Sequence, residues 1–191
     1  MIEPIDTSRL VLEPFTESHL GCGIVEWLND PEVVRYSDNR HRRHTNETSR
    51  AYLQSFADSP NYYWAIRLKQ PTQNVIGTIT SYIDVNNSVA DIGILVGEKG
   101  YWRGGYGTEA FAGVINWLFT RRNIRKITAG TMAIHSGMIG IMKKLRMQEE
   151  GRKVRYFLVD GREVDLVCAT LFAEDWLRVR AQVIGRSNIP E

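Results

Sequence analysis

One segment constrains the possible folds of this chain more than any other, because it joins an apolar strand to a helix through a cluster of glycines. Residues 89–97 form the apolar run, Gly104, Gly105 and Gly107 follow, and a helical pattern covers residues 108–120. Glycines let the backbone approach a ligand closely and present several N–H groups together. A helix N-terminus adds partial positive charge, which suits phosphate oxygens. The segment predicts a phosphate-binding loop, with an ordinary tight turn as the alternative.

Two familiar phosphate-binding patterns fit this segment poorly. The Walker A pattern requires a lysine directly before its final serine or threonine, and no lysine precedes Thr108, so that class is excluded. Gly105, Gly107 and Ala110 satisfy the dinucleotide pattern, which also needs an acidic residue about 20 positions later. The sequence at 125–128 is basic instead, and the loop does not open the fold. A dinucleotide site is therefore the weakest alternative.

The composition indicates a single globular domain over residues 1–191. Of these residues 43% are apolar and 24% are charged, and the mean hydropathy is −0.28. Cys22 and Cys168 lie far apart without metal-ligand spacing, which excludes a disulfide scaffold or a zinc module and favours a reducing, cytoplasmic compartment. The sequence shows no signal-peptide pattern and no apolar stretch of about 18 residues, so we expect no membrane partner.

The charge distribution argues against nucleic acid as a partner. The net charge is +2 and the pI is 8.6, whereas nucleic-acid-binding domains usually exceed a pI of about 9. Residues 1–90 carry 8 basic and 11 acidic side chains, and residues 91–191 carry 16 basic and 11 acidic side chains. The positive surplus in the second half favours an anionic ligand there, with a solvated charged surface as the alternative.

Hydrophobic patterning predicts a mixed α/β fold in which helices cover one sheet. The predicted strands cover residues 9–15, 62–69, 75–85, 89–97 and 125–133, followed by a hairpin that turns at Asp160-Gly161. The predicted helices cover residues 16–29, 46–57, 108–120, 136–147 and 173–184, with a short helix from Asp30-Pro31 and a tail at 185–191.

Residues 101–110 resemble the acetyl-CoA pyrophosphate loop of the GNAT N-acetyltransferase superfamily, Q/R-x-x-G-x-G/A. The likeness is greatest to the ribosomal-protein-alanine acetyltransferase branch (RimJ/RimL-type), which commonly has a tryptophan at the Q/R position. Residues 7–20, 27–38, 75–79 and 149–167 resemble that branch as well. The six loop positions are Trp102, Arg103, Gly104, Gly105, Tyr106 and Gly107.

The resemblance implies a single GNAT-like domain whose mostly antiparallel sheet is splayed where acetyl-CoA binds. It implies an N-acetyltransferase that moves the acetyl group of acetyl-CoA to a primary amine, such as an amino sugar or a protein N-terminus, without a metal. It assigns the pantetheine arm to the backbone near Leu95, Val96 and Gly97, and the pyrophosphate to residues 102–108, including Thr108. A monomer and a homodimer are both compatible with it.

Five positions depart from the family pattern in and beside the helix predicted after residue 135, and at the last of them Met147 replaces the usual phenylalanine. His135 replaces the usual asparagine, Met138 the usual serine or alanine, and Met142 the usual tyrosine acid, so that a proton donor is missing. We expect His135 to contact the pantetheine arm or to protonate the thiolate, with helix capping as the alternative. Met142 is assigned to the cofactor site by this register, with core packing as the alternative. Arg146 replaces a helix-ending glycine, so we expect the helix to end differently.

The acceptor amine is mostly protonated at neutral pH, so a base must remove a proton. The sequence offers Asp91, Glu98 and Glu150, with a structural role as the alternative for Asp91. Glu98 is favoured because it follows the end of the strand at the cofactor site, with a solvated turn residue as the alternative. The absence of the usual asparagine and tyrosine keeps a second function open, namely a degenerate acyl-CoA-binding or regulatory module without turnover.

The resemblance places the acceptor beneath the first two helices and the hairpin near the C-terminus. Tyr36 is expected to stack on the acceptor there. Arg42 and Arg43 lie in the basic stretch at 37–44 and suit a carboxylate or phosphate on the acceptor, with a solvated basic loop as the alternative.

Overall fold

The computed structural model describes residues 3–72 and 74–187. The strands are β1 (Ile5–Asp6), β2 (Leu10–Pro14), β3 (Tyr62–Leu68), β4 (Val75–Asp84), β5 (Val89–Val96), β6 (Lys126–Met132), β7 (Gln148–Val159) and β8 (Arg162–Phe172). The helices are α1 (Ile24–Asn29), α2 (Asn46–Gln54), α3 (Tyr106–Arg121), α4 (Ser136–Lys144) and α5 (Ala173–Ser187). The eight strands form one sheet in the order β1-β2-β3-β4-β5-β6-β8-β7.

Neighbouring strands are antiparallel throughout this sheet except at its centre, where β5 and β6 run parallel. The β5–β6 pairing covers only three positions and ends at Asp91 and Thr128, although β5 continues to Val96 and β6 to Met132. We call the Asp91–Thr128 pair the fork, and the space beyond it between the two strands the donor gap. The predicted mostly antiparallel, splayed sheet is confirmed.

Alternating side chains of β3 show how the sheet separates two hydrophobic cores. Trp64 and Ile66 face a large core that includes α3 and α4, whereas Tyr63 faces a smaller core beneath α1. The predicted apolar face of α3 is confirmed, because Phe111, Ile115 and Leu118 are fully buried in the larger core; their relative exposure is 0%. The sheet is thereby held between helices on both faces.

The N-terminal half differs from the sequence prediction in its helices. The helix predicted at 16–29 is divided into a 3-10 turn (Glu17–Gly21) and α1, because Gly23 has the left-handed φ of 94° that starts a new helix. The short helix predicted from Asp30 is a series of turns, in which the Asp30 carboxylate accepts bonds from the N–H groups of Glu32 and Val33. Such local side-chain bonds compete with helix formation.

Helix α4 ends at Lys144 in the geometry usual for a glycine, so the expectation of a different end at Arg146 is wrong. Arg146 has a φ of 61°, its N–H donates to Lys143, and the Met147 N–H donates to Met142. These two bonds form a Schellman motif. A non-glycine residue there costs about 1–2 kcal/mol.

At the C-terminus, α5 begins at the predicted residue and continues three residues beyond the predicted end. Residues 188–191 of the predicted tail, and residue 73 of the turn between β3 and β4, lie outside the described residues. Within the described residues no helix is both long and apolar enough to cross a membrane.

Candidate active site

The register of β5 determines which backbone groups face the donor gap. The N–H of Gly97 donates to the carbonyl of Ile76, so the backbone groups of Gly97 point toward β4. Orientation alternates along an antiparallel ladder, so the N–H and C=O groups of Val96, Ile94 and Ile92 point the other way. The Ile92 N–H belongs to the last β5–β6 pairing, at the fork. Because β6 pairs with β5 no further, the carbonyl of Ile92 and the backbone groups of Ile94 and Val96 face the donor gap and offer pairing partners to an extended ligand.

The same register gives different orientations to the three residues, at the end of β5 and just beyond it, that the sequence assigned to the pantetheine arm. Val96 presents its backbone to the donor gap, whereas the backbone of Leu95 points to β4 and its side chain packs in the smaller core. Gly97 is buried under Trp27, and a Cβ atom at Gly97 would lie 2.0 Å from the Trp27 ring. The structure therefore leaves Val96 as the one of these three residues whose backbone groups face the gap.

The glycine loop passes directly into α3. The helix begins at Tyr106, two residues earlier than predicted, and Gly105 precedes it with a φ of 82°. The N–H groups of the first helical turn, including those of Tyr106, Gly107 and Thr108, have no partner within the helix. Gly107 has little room for a side chain, since a Cβ atom would lie 3.3 Å from Ile141. Free N–H groups and a close backbone suit an anionic phosphate.

A buried carboxylate that the sequence analysis missed holds this loop in place. Glu109 is 1% exposed, and its Oε1 accepts bonds from Thr7 Oγ1 and from the backbone N–H of Arg9, each at 2.7 Å. Its Oε2 accepts a 2.6 Å bond from Arg9 Nε. Arg9 in turn donates to the carbonyl of Gly104 at 3.0 Å and lies over the Tyr106 ring at 4.1 Å. Arg9 thus connects the β1–β2 turn to Gly104, before the start of α3, and to Glu109, within α3.

A cleft of about 730 Å³ opens beside this loop and is strongly basic. Its floor includes Gly104, Gly105 and Thr108. The basic side chains that line it are Arg9, Lys143, Lys144 and Arg146. Positive charge next to free backbone N–H groups favours a ligand with several phosphates.

His135 lies at the other side of the donor gap, just beyond the end of β6. Its ring stacks on Tyr36 with 4.6 Å between centroids, and its Nδ1 lies 3.1 Å from Thr131 Oγ1. It is the N-cap residue of α4, as the helix-capping alternative has it, but its side chain makes no capping hydrogen bond. Burial lowers the pKa of the His135 imidazole from its ordinary value of 6.5, and the ring is neutral at pH 7. A neutral imidazole can accept a proton but is a poor acid.

These elements match those of known acetyltransferases. Residues 9–148, more than two thirds of the chain, match the acetyltransferase (GNAT) domain family. The chain belongs to the GNAT acetyltransferase family. It is therefore an acyltransferase of a family that uses acetyl-CoA.

Individual GNAT relatives agree in length and fold. The chain is 27% identical over 179 residues to the uncharacterized N-acetyltransferase p20 of Bacillus licheniformis, covering 92% of this chain and 99% of the relative. The solved structure of RimL, a ribosomal L7/L12 α-N-protein acetyltransferase in complex with coenzyme A, superposes with a TM-score of 0.80 at 15% identity over 91% of this chain and 99% of that chain. Spermidine N-acetyltransferase from Vibrio cholerae, in complex with CoA and spermine, gives a TM-score of 0.78 at 17% identity over 88% and 98%. The predicted GNAT fold is confirmed.

The methionines at departing GNAT positions lie in the core. Met138, Met142 and Met147 are 6%, 3% and 8% exposed, and all three belong to the larger core. The packing favours the core alternative for Met142 over contact with the cofactor. Within the described residues no cluster of His, Cys, Asp or Glu side chains is arranged to hold a metal ion.

The three candidate carboxylates lie in different places. Glu98 is exposed beyond β5, toward the glycine loop, and accepts a 3.1 Å bond from Trp27 Nε1. Asp91 lies at the fork and accepts a 2.7 Å bond from Thr128 Oγ1, and desolvation raises the pKa of its carboxyl above the ordinary value. Glu150 is paired with Lys126. Asp91 is thus the candidate at the inner end of the donor gap.

The predicted acceptor residues do not form one group. Tyr36 packs beside His135, whereas Arg42 and Arg43 are exposed and line a second cleft with the tip of the β7–β8 hairpin. The structure therefore brings Tyr36 and His135 together and leaves the two arginines apart from them.

Proposed function

We propose that this chain transfers the acetyl group of acetyl-CoA to a primary amine. The observation that carries the proposal is the early end of the β5–β6 pairing at the fork, beside the N-terminus of α3. It leaves the carbonyl of Ile92 and the backbone groups of Ile94 and Val96 facing a gap of the kind that an extended, amide-containing arm can enter as an additional strand.

The donor's phosphates determine its direction in the gap. We assign the pyrophosphate to the backbone N–H groups of residues 103–108, including Arg103, and the remaining phosphate to the basic cleft formed with Lys143, Lys144 and Arg146. The arm then enters between Val96 and the end of β6, and its thioester points toward the fork.

Direct transfer needs an unprotonated amine and a stabilised oxyanion. We assign removal of the proton from the acceptor amine to Asp91, because it is the carboxylate at the fork and its raised pKa makes it a stronger base. The gap-facing N–H group of Ile94 is the donor placed to stabilise the tetrahedral oxyanion. Glu98 stays a competing prediction, at the outer end of the gap.

His135 is assigned to the pantetheine arm at the mouth of the gap, and Tyr36 to the acceptor side. Because the imidazole is neutral at pH 7, His135 serves as a hydrogen-bond partner or proton acceptor rather than as the acid for the thiolate. Met142 offers no proton, so protonation of the CoA thiolate falls to solvent. A degenerate module remains the second candidate, because this core methionine stands where the family pattern has its tyrosine acid.

The first experiment compares thermal stabilisation by acetyl-CoA, CoA and NAD, followed by thiol release against a panel of amines. We expect stabilisation by both CoA species, none by NAD, and thiol release with at least one amine. Lys144→Gln should weaken CoA binding, and Lys153→Gln, on the exposed strand β7, is the matched control. CoA binding without turnover of any amine favours the degenerate module, and failure to bind CoA contradicts the assignment of the glycine loop.

The base is identified by pH–rate profiles of Asp91→Asn and Glu98→Gln. We expect Asp91→Asn to lose the acidic limb of the profile, where the rate rises with pH as the base loses its proton, and Glu98→Gln to retain it. The reverse result would assign the base to Glu98.

A further inference from the structure

The second cleft, between the loop at 37–44 and the tip of the β7–β8 hairpin, has a volume of about 650 Å³. We call it the arginine cleft. Its basic lining residues are Arg35, Arg40, His41, Arg42 and Arg43. Its acidic lining residues are Glu32 and Asp160. A cleft with this lining is suited to an anion, provided that its own carboxylates do not already neutralise the guanidinium groups.

The two acidic side chains are paired with basic residues other than Arg42 and Arg43. Glu32 accepts a 2.6 Å bond from Lys99, and Asp160 lies 3.8 Å from Arg35. Within the part of the chain that the structure describes, Arg42 and Arg43 have no carboxylate within 4 Å. Two guanidinium groups with planar N–H donors are therefore available for a carboxylate or phosphate.

The loop that carries these arginines is held by its own hydrogen bonds. The N–H of Arg42 donates to the carbonyl of Asn39, and Ser37 Oγ accepts from the N–H of Asn39. The Asn29 side chain fixes the end of the loop, because it donates to the carbonyl of His44 and accepts from its N–H, at 2.8 Å and 2.9 Å. A loop ordered in this way loses less entropy when a ligand binds.

The arginine cleft adjoins the proposed acceptor side. Val159 lines the cleft and also belongs to a small hydrophobic cluster that Tyr36 packs against. Tyr36 stacks on His135 at the mouth of the donor gap. One layer of side chains therefore separates the cleft from the donor gap, and a ligand with an extended spacer can reach both.

We propose that the arginine cleft binds a carboxylate or phosphate group of the acceptor, while the acceptor's amine extends past Tyr36 to the donor gap. This inference rests on the proposed function for the amine, and on the charge and order of the cleft for the anion. The acceptor class is then a primary amine joined by a spacer to an anionic group, rather than a simple alkylamine or a polyamine.

Anion binding is tested directly by calorimetric titration of inorganic pyrophosphate into the protein saturated with CoA, at constant ionic strength. Saturation with CoA occupies the other phosphate-binding region. We expect one binding event in the wild type, and the double variant Arg42→Gln/Arg43→Gln should weaken it by roughly tenfold or more, the effect of at least one charged hydrogen bond. Arg178→Gln/Arg180→Gln, with the same loss of charge on exposed α5, should bind as the wild type does.

The acceptor's role is tested with hexylamine and with the same chain carrying a terminal carboxylate or a terminal phosphate. We expect a lower KM for one or both anionic amines, which identifies the preferred anion, and loss of that preference in Arg42→Gln/Arg43→Gln with kcat largely retained.

The two experiments separate failure of this inference from failure of the proposed function. Absence of pyrophosphate binding, or equal binding by the double variant, overturns the anion site even if amines are acetylated. An anion preference that persists in the double variant also overturns it. Pyrophosphate binding that needs the two arginines, without acetylation of any amine, upholds the anion site and contradicts the proposed function.

Discussion

The indole N–H of Trp102 donates a 2.7 Å hydrogen bond to the carbonyl oxygen of Val96, the last residue of β5. That oxygen is one of the groups that face the donor gap. Under the proposed function an amide of the pantetheine arm would pair with the same oxygen, so the tryptophan and the arm compete for it. Trp102 is 36% exposed, so its side chain has room to move.

We predict that Trp102→Phe strengthens CoA binding severalfold, because a net hydrogen bond of about 0.5–1.5 kcal/mol no longer competes with the arm. Calorimetric titration measures the change, and in the wild type the indole fluorescence should change when CoA binds. Weaker binding by the variant would show instead that the indole supports the loop.

Gly97→Ala should destabilise the protein by about 1–3 kcal/mol, the usual range for overpacking. The added Cβ atom would lie 2.0 Å from the Trp27 ring, which is itself buried and bonded to Glu98. Urea unfolding measures the effect. Gly100→Ala is the matched control, because a Cβ atom there meets nothing within 4 Å; equal stabilities of the two variants would contradict the prediction.

Arg146→Gly should raise the free energy of unfolding by up to about 1 kcal/mol, because glycine relieves the left-handed strain at the end of α4. Arg146→Gln keeps the strain but removes the same charge, so it should give no such gain. Both variants should raise the KM for acetyl-CoA similarly, because Arg146 lines the basic cleft. A stability gain in both variants would refute the role of backbone strain.

Glu109→Gln should destabilise the protein by about 1.5–3 kcal/mol, since the amide replaces one acceptor oxygen of a buried carboxylate whose oxygens accept three hydrogen bonds. The KM for acetyl-CoA should rise as well, because Arg9 loses the partner that directs it to Gly104. Glu163→Gln, at an exposed position of β8, is the control for loss of a carboxylate. Unchanged stability and KM in Glu109→Gln would show that this contact is dispensable.

The lowered pKa of His135 predicts a specific loss of stability in acid. The folded state binds the proton less readily than the unfolded state, whose histidine titrates at about 6.5. The stability contributed by the neutral ring is therefore complete above that pH, decreases as the pH falls through it, and levels off below the folded-state pKa. The free energy of unfolding, measured from pH 8 to pH 5, should depend less steeply on pH in His135→Gln than in the wild type. Equal slopes would contradict the lowered pKa of His135.

Much of the secondary structure was predictable because it is determined by residues that are close together in the chain. The apolar spacing of Phe111, Ile115 and Leu118 predicts the buried face of α3, and Asp160-Gly161 predicts the turn between β7 and β8. The start of α3 is equally local, since Gly105 before it has the left-handed φ of 82° that glycine adopts readily. The resemblance of the glycine loop to a family pattern then indicated the phosphate-binding role and the class of reaction.

The arrangement of the candidate site depends on contacts between distant segments, which local patterns do not specify. Arg9 and Glu109 are 100 residues apart, and their pairing arises only when α3 packs against β2. Tyr36 meets His135 through packing of a loop beside the end of β6. The apolar run at 89–97 predicted the strand β5, but the orientation of the Leu95 and Val96 backbones follows from pairing with β4. Local propensities thus account for the helices and strands, whereas the packing of the whole chain determines which side chains and backbone groups meet at the donor gap.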